Sequence, residues 1–165
     1  GWKNGFSSNI LASSGSLIAN DGKYPCVYRG IESPFGDVWQ FVDGVNINDR
    51  QAWVALNAED YASNVFAYPY EQLGYTNHNA DGYVKEMGFD PNFPFAEFSV
   101  AISNSVTHYK DYYYQDAGQR IARFGGYWGA GAHVGLSSWY LHFSSSTASV
   151  TSGGRLLKKP QGGPV

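Results

Sequence analysis

Apolar and polar positions along the 165-residue chain alternate in short runs between turn-forming residues, the spacing of strands more than of helices. Residues 38–42 (Val-Trp-Gln-Phe-Val) follow a break at 34–36 and precede Asp43-Gly44, a strong turn dipeptide. Val38, Gln40 and Val42 share one face of that strand, and Trp39 and Phe41 share the other. Both faces carry apolar side chains, which predicts a strand covered on both sides. Residues 98–102 alternate with Phe98, Val100 and Ile102 on one side. Residues 133–143 alternate as Val134, Leu136, Ser138, Tyr140 and His142 against His133, Gly135, Ser137, Trp139, Leu141 and Phe143. Gly153-Gly154 leads into a last strand at 155–157.

Helix signals are few. Residues 25–31 predict a turn of helix before Pro34, and 57–62 a short surface helix ended by Asn64 and Pro69. Residues 68–94, broken by Pro69, Gly74, Gly82, Gly88, Pro91 and Pro94, read as loop, a length that marks either function or a hidden element. Residues 1–24 are Gly-, Ser- and Asn-rich with isolated apolar positions, an entry arm or the end of a larger upstream region. The opening Gly-Trp-Lys, without Met, favours the second. Residues 25–159 form the predicted folded domain and 160–165 a flexible tail.

Composition narrows the chemistry. Apolar residues reach 43% and aromatics 17%, enough for a core, while charged residues are 15% with a net charge of −3. The 11 Lys and Arg are scattered, which disfavours a nucleic-acid partner held through phosphates. No apolar run reaches bilayer length, so no membrane insertion is expected, and no charged-then-apolar leader opens the chain. Cys26 stands alone, excluding an internal disulfide framework and a CxxC site, and reads as a small core residue. His78, His108, His133 and His142 lack metal-ligand spacing, and no phosphate loop, dinucleotide fingerprint or nucleophile elbow occurs; no cofactor is expected. Asp43, Asn46, Asn48 and Asp49 could offer calcium oxygens, although such turns usually bond their own backbone. A glycan hydrolase would need two carboxylates about 5–10 Å apart, and Asp111, Asp116, Glu97 and Glu59 are the spare candidates.

What remains is concentrated late in the chain. Residues 127–152 hold Tyr127, Trp128, His133, Trp139, Tyr140, His142 and Phe143 among small residues, with no charge between Arg123 and Arg155. Seven of the nine residues 144–152 are Ser or Thr. Binding loops use that mixture of rigid rings and adaptable hydroxyls, and ring faces suit sugars; a β core with a solvated edge would read the same way. Tyr109, Tyr112, Tyr113 and Tyr114 form a second aromatic cluster, for which packing is the simpler reading.

Two separated motifs add a resemblance. Residues 28–44, Tyr-Arg-Gly-Ile-Glu-Ser-Pro-Phe-Gly-Asp-Val-Trp-Gln-Phe-Val-Asp-Gly, resemble the GNVWEWV signature of formylglycine-generating-enzyme-like proteins. They are closer still to the RGIE-N-xFGN-W-x-x-VDGINI form of bacteriophage structural proteins. Arg123-Phe124-Gly125-Gly126-Tyr127-Trp128, with Gly153-Gly154-Arg155-Leu156-Leu157 behind it, resembles the family's RGGSW … GFRL ending. The ordered pair implies an α+β, C-type-lectin-type fold of short antiparallel strands, long loops and one or two short helices. Between its motifs such a protein displays a ligand-binding face, which retroelements diversify in some members. The paired cysteines of the sulfatase-activating branch, the His/Glu iron triad of the thiol-oxidising branch and the calcium-linked tripeptide of animal lectins are all missing here, so none of those activities carries over.

The expectation is therefore a non-catalytic receptor-binding (adhesin) domain of a bacteriophage tail fibre or tail tip, located on the virion. Its partners would be a host cell-surface receptor, glycan or protein, and other virion subunits, in a homo-oligomer such as a trimer. The alternative is a structural virion protein, a capsid decoration or fibre-assembly domain using the same surface. The expected contact set is Tyr127, Trp128, His133, Ser137, Trp139, Tyr140 and His142. If Trp139 shares a face with Leu141 and Phe143 it belongs to the core, leaving Tyr140 and His142 as the better choices. Trp39, Phe41 and Arg155 are assigned to structure.

Overall fold

The computed structural model describes residues 27–28, 31–32, 34–105, 108–130 and 133–154. The entry arm 1–24, Cys26, the expected strand 155–157 with Arg155, and the tail 160–165 lie outside the described residues.

Extended backbone dominates. β1 (Val27–Tyr28) and β2 (Ile31–Glu32) pair antiparallel where a helical turn was expected, since Val27 and Ile31 are β-branched and favour strand. The main sheet contains β3 (Trp39–Asn48), β4 (Gln51–Val54), β5 (Glu71–Gln72), β6 (Asp81–Met87), β7 (Ser99–Ser103), β8 (Tyr112–Gln115), β9 (Gln119–Phe124), β10 (Trp139–Leu141) and β11 (Ser152–Gly153). Its order is β5-β4-β3-β9-β10-β8-β6-β7, with β11 parallel to the start of β3, and it curls into a half-barrel. A 3-10 turn, Ala58–Asp60, lies within the expected helix at 57–62, and His133 also has 3-10 conformation. The domain is thus predominantly β, with less helix than expected.

Three strand expectations changed on folding. Residues 38–42 form a strand, but Asp43-Gly44 does not end it. Val42 faces Ala122 and Asn46 faces Ile121, so residues 43–45 bulge out and β3 continues. Gly44 has φ +77°, and a side chain there would meet the Tyr61 ring. The reversal comes instead at Asp49-Arg50, with Asn48 opposite Gln51.

The expected loop 68–94 contains β6. There Gly82 and Val84 are buried and Lys85 and Glu86 exposed, so the breakers at 88, 91 and 94 flank a strand. The third change is at 133–143, which forms strand only at β10. Residues before it are held as a loop by the Asp111 carboxylate, which accepts the Ser137 N–H at 2.7 Å.

The core lies on one face of the sheet. Ile47, Val54, Val84, Phe98, Tyr113 and Leu141 are fully enclosed there, and Trp139 packs against them. Buried Gln115 ties β8 to the β3–β4 turn. Its Nε2 donates to the Asp49 carbonyl at 2.6 Å, and its Oε1 accepts from Asn77 and Tyr113 at 2.9 and 2.8 Å.

Candidate functional site: an aromatic cleft

The strands' period of two decides which rings face away from the core. In β8, Tyr113 and Gln115 are buried, so Tyr112 and Tyr114 stand on the opposite face. Directly opposed residues share a face, so the register builds a row from Phe41 through Arg123, Tyr140 and Tyr114 to Asp81. Trp39 lies two residues before Phe41, on its side of β3, and Tyr83 pairs with Tyr112.

At the centre of this face, Tyr140 stacks on Trp39 with ring centroids 4.5 Å apart and 23° between planes. Such stacking contributes about 0.5–1.5 kcal/mol beyond burial. Tyr127 tilts over Trp39 at 6.5 Å. The chain enters that position through Gly125 and Gly126, at φ +88° and +72°. With Tyr112, Gly129, Ala130, His133, Val134 and Ser138, these rings enclose a cleft of about 410 Å³. Its polar groups sit at the rim. His133 Nδ1 is 2.7 Å from the Tyr83 hydroxyl, and Tyr112 donates to Asp81 at 2.7 Å. The Asp81 hydrogen bond pushes the Tyr112 phenol up to about 12.

Arg123 lies beside the stack, 1% exposed, with its guanidinium 3.7 Å from the Phe143 ring centre and 5.6 and 5.7 Å from Trp39 and Tyr140. Nη1 donates to the Ser152 hydroxyl, tying β9 to β11, while Nε and Nη2 have no hydrogen-bond partner. Burial lowers its pKa to about 10, so it stays a cation at neutral pH, set among ring faces that attract it.

The residues expected from sequence divide. Tyr127, His133 and Tyr140 line the cleft. Trp128 is beside it, edge-on to Tyr127 at 5.7 Å and 44% exposed. His142 lies behind Tyr140, stacked on Tyr114 at 4.7 Å, with its Nδ1 buried and unpartnered. Ser137 lies outside the cleft because residues 134–138 are loop, so alternation does not apply to them; Ser138 lines it instead. Trp139 turns to the core, 4.8 Å from Phe98 and 5.7 Å from Phe124, on a face with Leu141. Phe143 turns to the other face, against Arg123.

Sequence reasoning missed Trp39, Tyr112 and Ser138 as lining. The alternation of residues 112–115 carried the signal for Tyr112. Trp39 needed the partner ring of Tyr140, which no local pattern supplies.

The other candidate chemistry disperses. Asn46 donates through Nδ2 to the carbonyls of Ala62 and Val65 at 2.8 and 3.1 Å, and Asp49 accepts from Gly118 N at 2.8 Å. Among the described residues no group of three or more His, Cys, Asp or Glu is placed to hold a metal. Asp111 is occupied by Ser137, with burial raising its pKa, and Glu59 and Glu97 are exposed away from the cleft. Among the described residues no carboxylate lines the cleft. No protein-family model, curated protein or solved structure matches this chain.

Proposed function

We propose that this domain is a non-catalytic receptor-binding module of C-type-lectin type, an adhesin domain of a bacteriophage tail fibre or tail tip that recognises a glycan on the host surface. The observation that carries the ligand class is the cleft itself. The half-buried Tyr127 and Tyr140 supply apolar ring surface over the buried Trp39, and the His133 and Tyr112 polar groups supply hydrogen bonds at the rim. Sugars present the same division, with apolar C–H faces and a hydroxyl edge. A pocket of this size lined mainly by rings, with few convergent polar groups, is the usual form of a small-ligand site. The phage setting rests on the two-motif resemblance. A weak contact repeated on a homo-oligomeric fibre, such as a trimer, gains avidity without new contacts.

The test is binding of the 165-residue chain to a glycan array and to whole bacterial cells. Tyr127→Ala and His133→Ala lie at the rim of the cleft and are expected to lower binding roughly tenfold, with unchanged melting temperature. Equal binding by wild type and both variants overturns the assignment.

One observation favours the alternative of a structural virion protein using this surface for protein contacts. Trp128 and Leu136, 44% and 47% exposed, flank the lining residues in sequence and offer apolar area that a sugar does not need. Under that reading Trp128→Ala weakens particle assembly and leaves cell binding intact.

A further inference from the structure

We infer that the aromatic cleft is one of two consecutive subsites in a single groove, built for an extended, uncharged oligosaccharide and not for one terminal sugar. This rests on the glycan reading above and deepens it. A second cleft, about 490 Å³, is lined by Phe41, Asp43, Tyr61, Ser63, Ser145 and Thr147 with neighbouring residues. The two share no lining residue, and β3 runs from one to the other. Trp39 floors the first and Phe41 walls the second, two residues apart on one face, hence about 7 Å along the strand.

The second cleft also presents rings, and it adds hydroxyls and a carboxylate. Phe41 and Tyr61 are 37% and 41% exposed, two rings left uncovered beside a cavity. Around them stand the hydroxyls of Ser63, Ser145 and Thr147 and the exposed carboxylate of Asp43. This is the place where the Ser/Thr-rich stretch of the sequence finds a use. Its loop is held in position: Asn64 Nδ2 donates to Ser145 Oγ at 3.1 Å, and Ser144 Oγ lies 3.0 and 3.3 Å from the hydroxyls of Ser146 and Thr147. Hydroxyls fixed before binding lose little entropy when a ligand arrives.

Among the described residues no Lys or Arg lines either cleft, and Asp43 would repel an anionic chain. Rings that take apolar C–H faces, and acceptors that take ligand hydroxyls, repeat along β3. A polymer of sugar units repeats in the same way.

The experiment uses the intact chain against length ladders, from monosaccharide to octasaccharide, of glucan, mannan, galactan and N-acetylglucosamine oligomers. Affinity is expected to rise with length in at least one ladder. Phe41→Ala and, independently, Asp43→Asn are expected to remove roughly tenfold from the longest members while leaving the shortest unchanged. Tyr127→Ala is expected to weaken short and long members alike. Asp43 is exposed, so its variant keeps the test open if Phe41→Ala fails to fold. Binding that is independent of length but sensitive to Tyr127→Ala overturns the groove and leaves the single cleft standing. Binding insensitive to all three variants, or no binding to any ladder, overturns both.

Discussion

His142 shows how a single ring comes to sense pH in this fold. It lies against Tyr114, Tyr140 and Phe143, with Arg120 and Arg123 on β9 and Asp116 beyond β8 acting on it electrostatically. Burial, then the Arg123 charge, holds its pKa below the ordinary 6.5. The folded state therefore binds this proton less readily than the unfolded chain does. Stability from the neutral ring is fully present above pH 6.5 and is lost as pH falls from there through the lower folded value. Denaturant melts across that window should show wild type losing stability that His142→Gln retains; parallel profiles would remove the role. Arg123, by contrast, stays charged throughout. Its enclosure by Phe143, Trp39 and Tyr140 is what makes a nearly inaccessible cation tolerable without a carboxylate among the described residues.

Turns and bulges place the rings that the strands carry. Gly125 and Gly126 both adopt left-handed backbone, and a Cβ on Gly126 would overlap the Val134 side chain. The left-handed conformation and the collision each typically cost about 1–3 kcal/mol. Gly126→Ala should therefore lower stability by at least roughly 2 kcal/mol and weaken ligand binding, because Tyr127 and Val134 both line the cleft. Gly154→Ala is the control: a Cβ there meets nothing within 4 Å, and chemical denaturation should show little change. The Gly-Gly pair was visible in the sequence, yet pattern alone did not say whether it served a ligand or a turn. The same limit applied at Asp43-Gly44. A dipeptide that favours a hairpin also favours a bulge, and the choice depends on whether β9 pairs on both sides of it.

Long-range pairing joins these pieces. β3 takes β9 along its length and β11 at its start, and β10 inserts between β8 and β9, which precede it in the chain. Loops must close before such pairs form, so folding is expected in the slow, millisecond-to-second regime of sheet proteins. Phe98 lies at the junction of this arrangement, fully buried and against Trp139. Phe98→Ala should cost about 3–5 kcal/mol. Far-ultraviolet dichroism and tryptophan fluorescence should lose structure together, since Trp39 and Trp139 sit on opposite faces of one sheet; separated transitions would contradict a single cooperative unit.

Local pattern was enough for the β character, for strands at 38–42 and 98–102, and for the late chain as the place where rings collect. Alternation within β10 also set Tyr140 against Trp139 and Leu141, because neighbours in a strand must point to opposite faces. Folding alone determined which rings meet. Trp39 and Tyr140 are a hundred residues apart in the chain and touch only because β9 lies between their strands. The cleft, the buried cation beside it and the second cavity along β3 all follow from that register, which is a property of paired strands and not of any one segment.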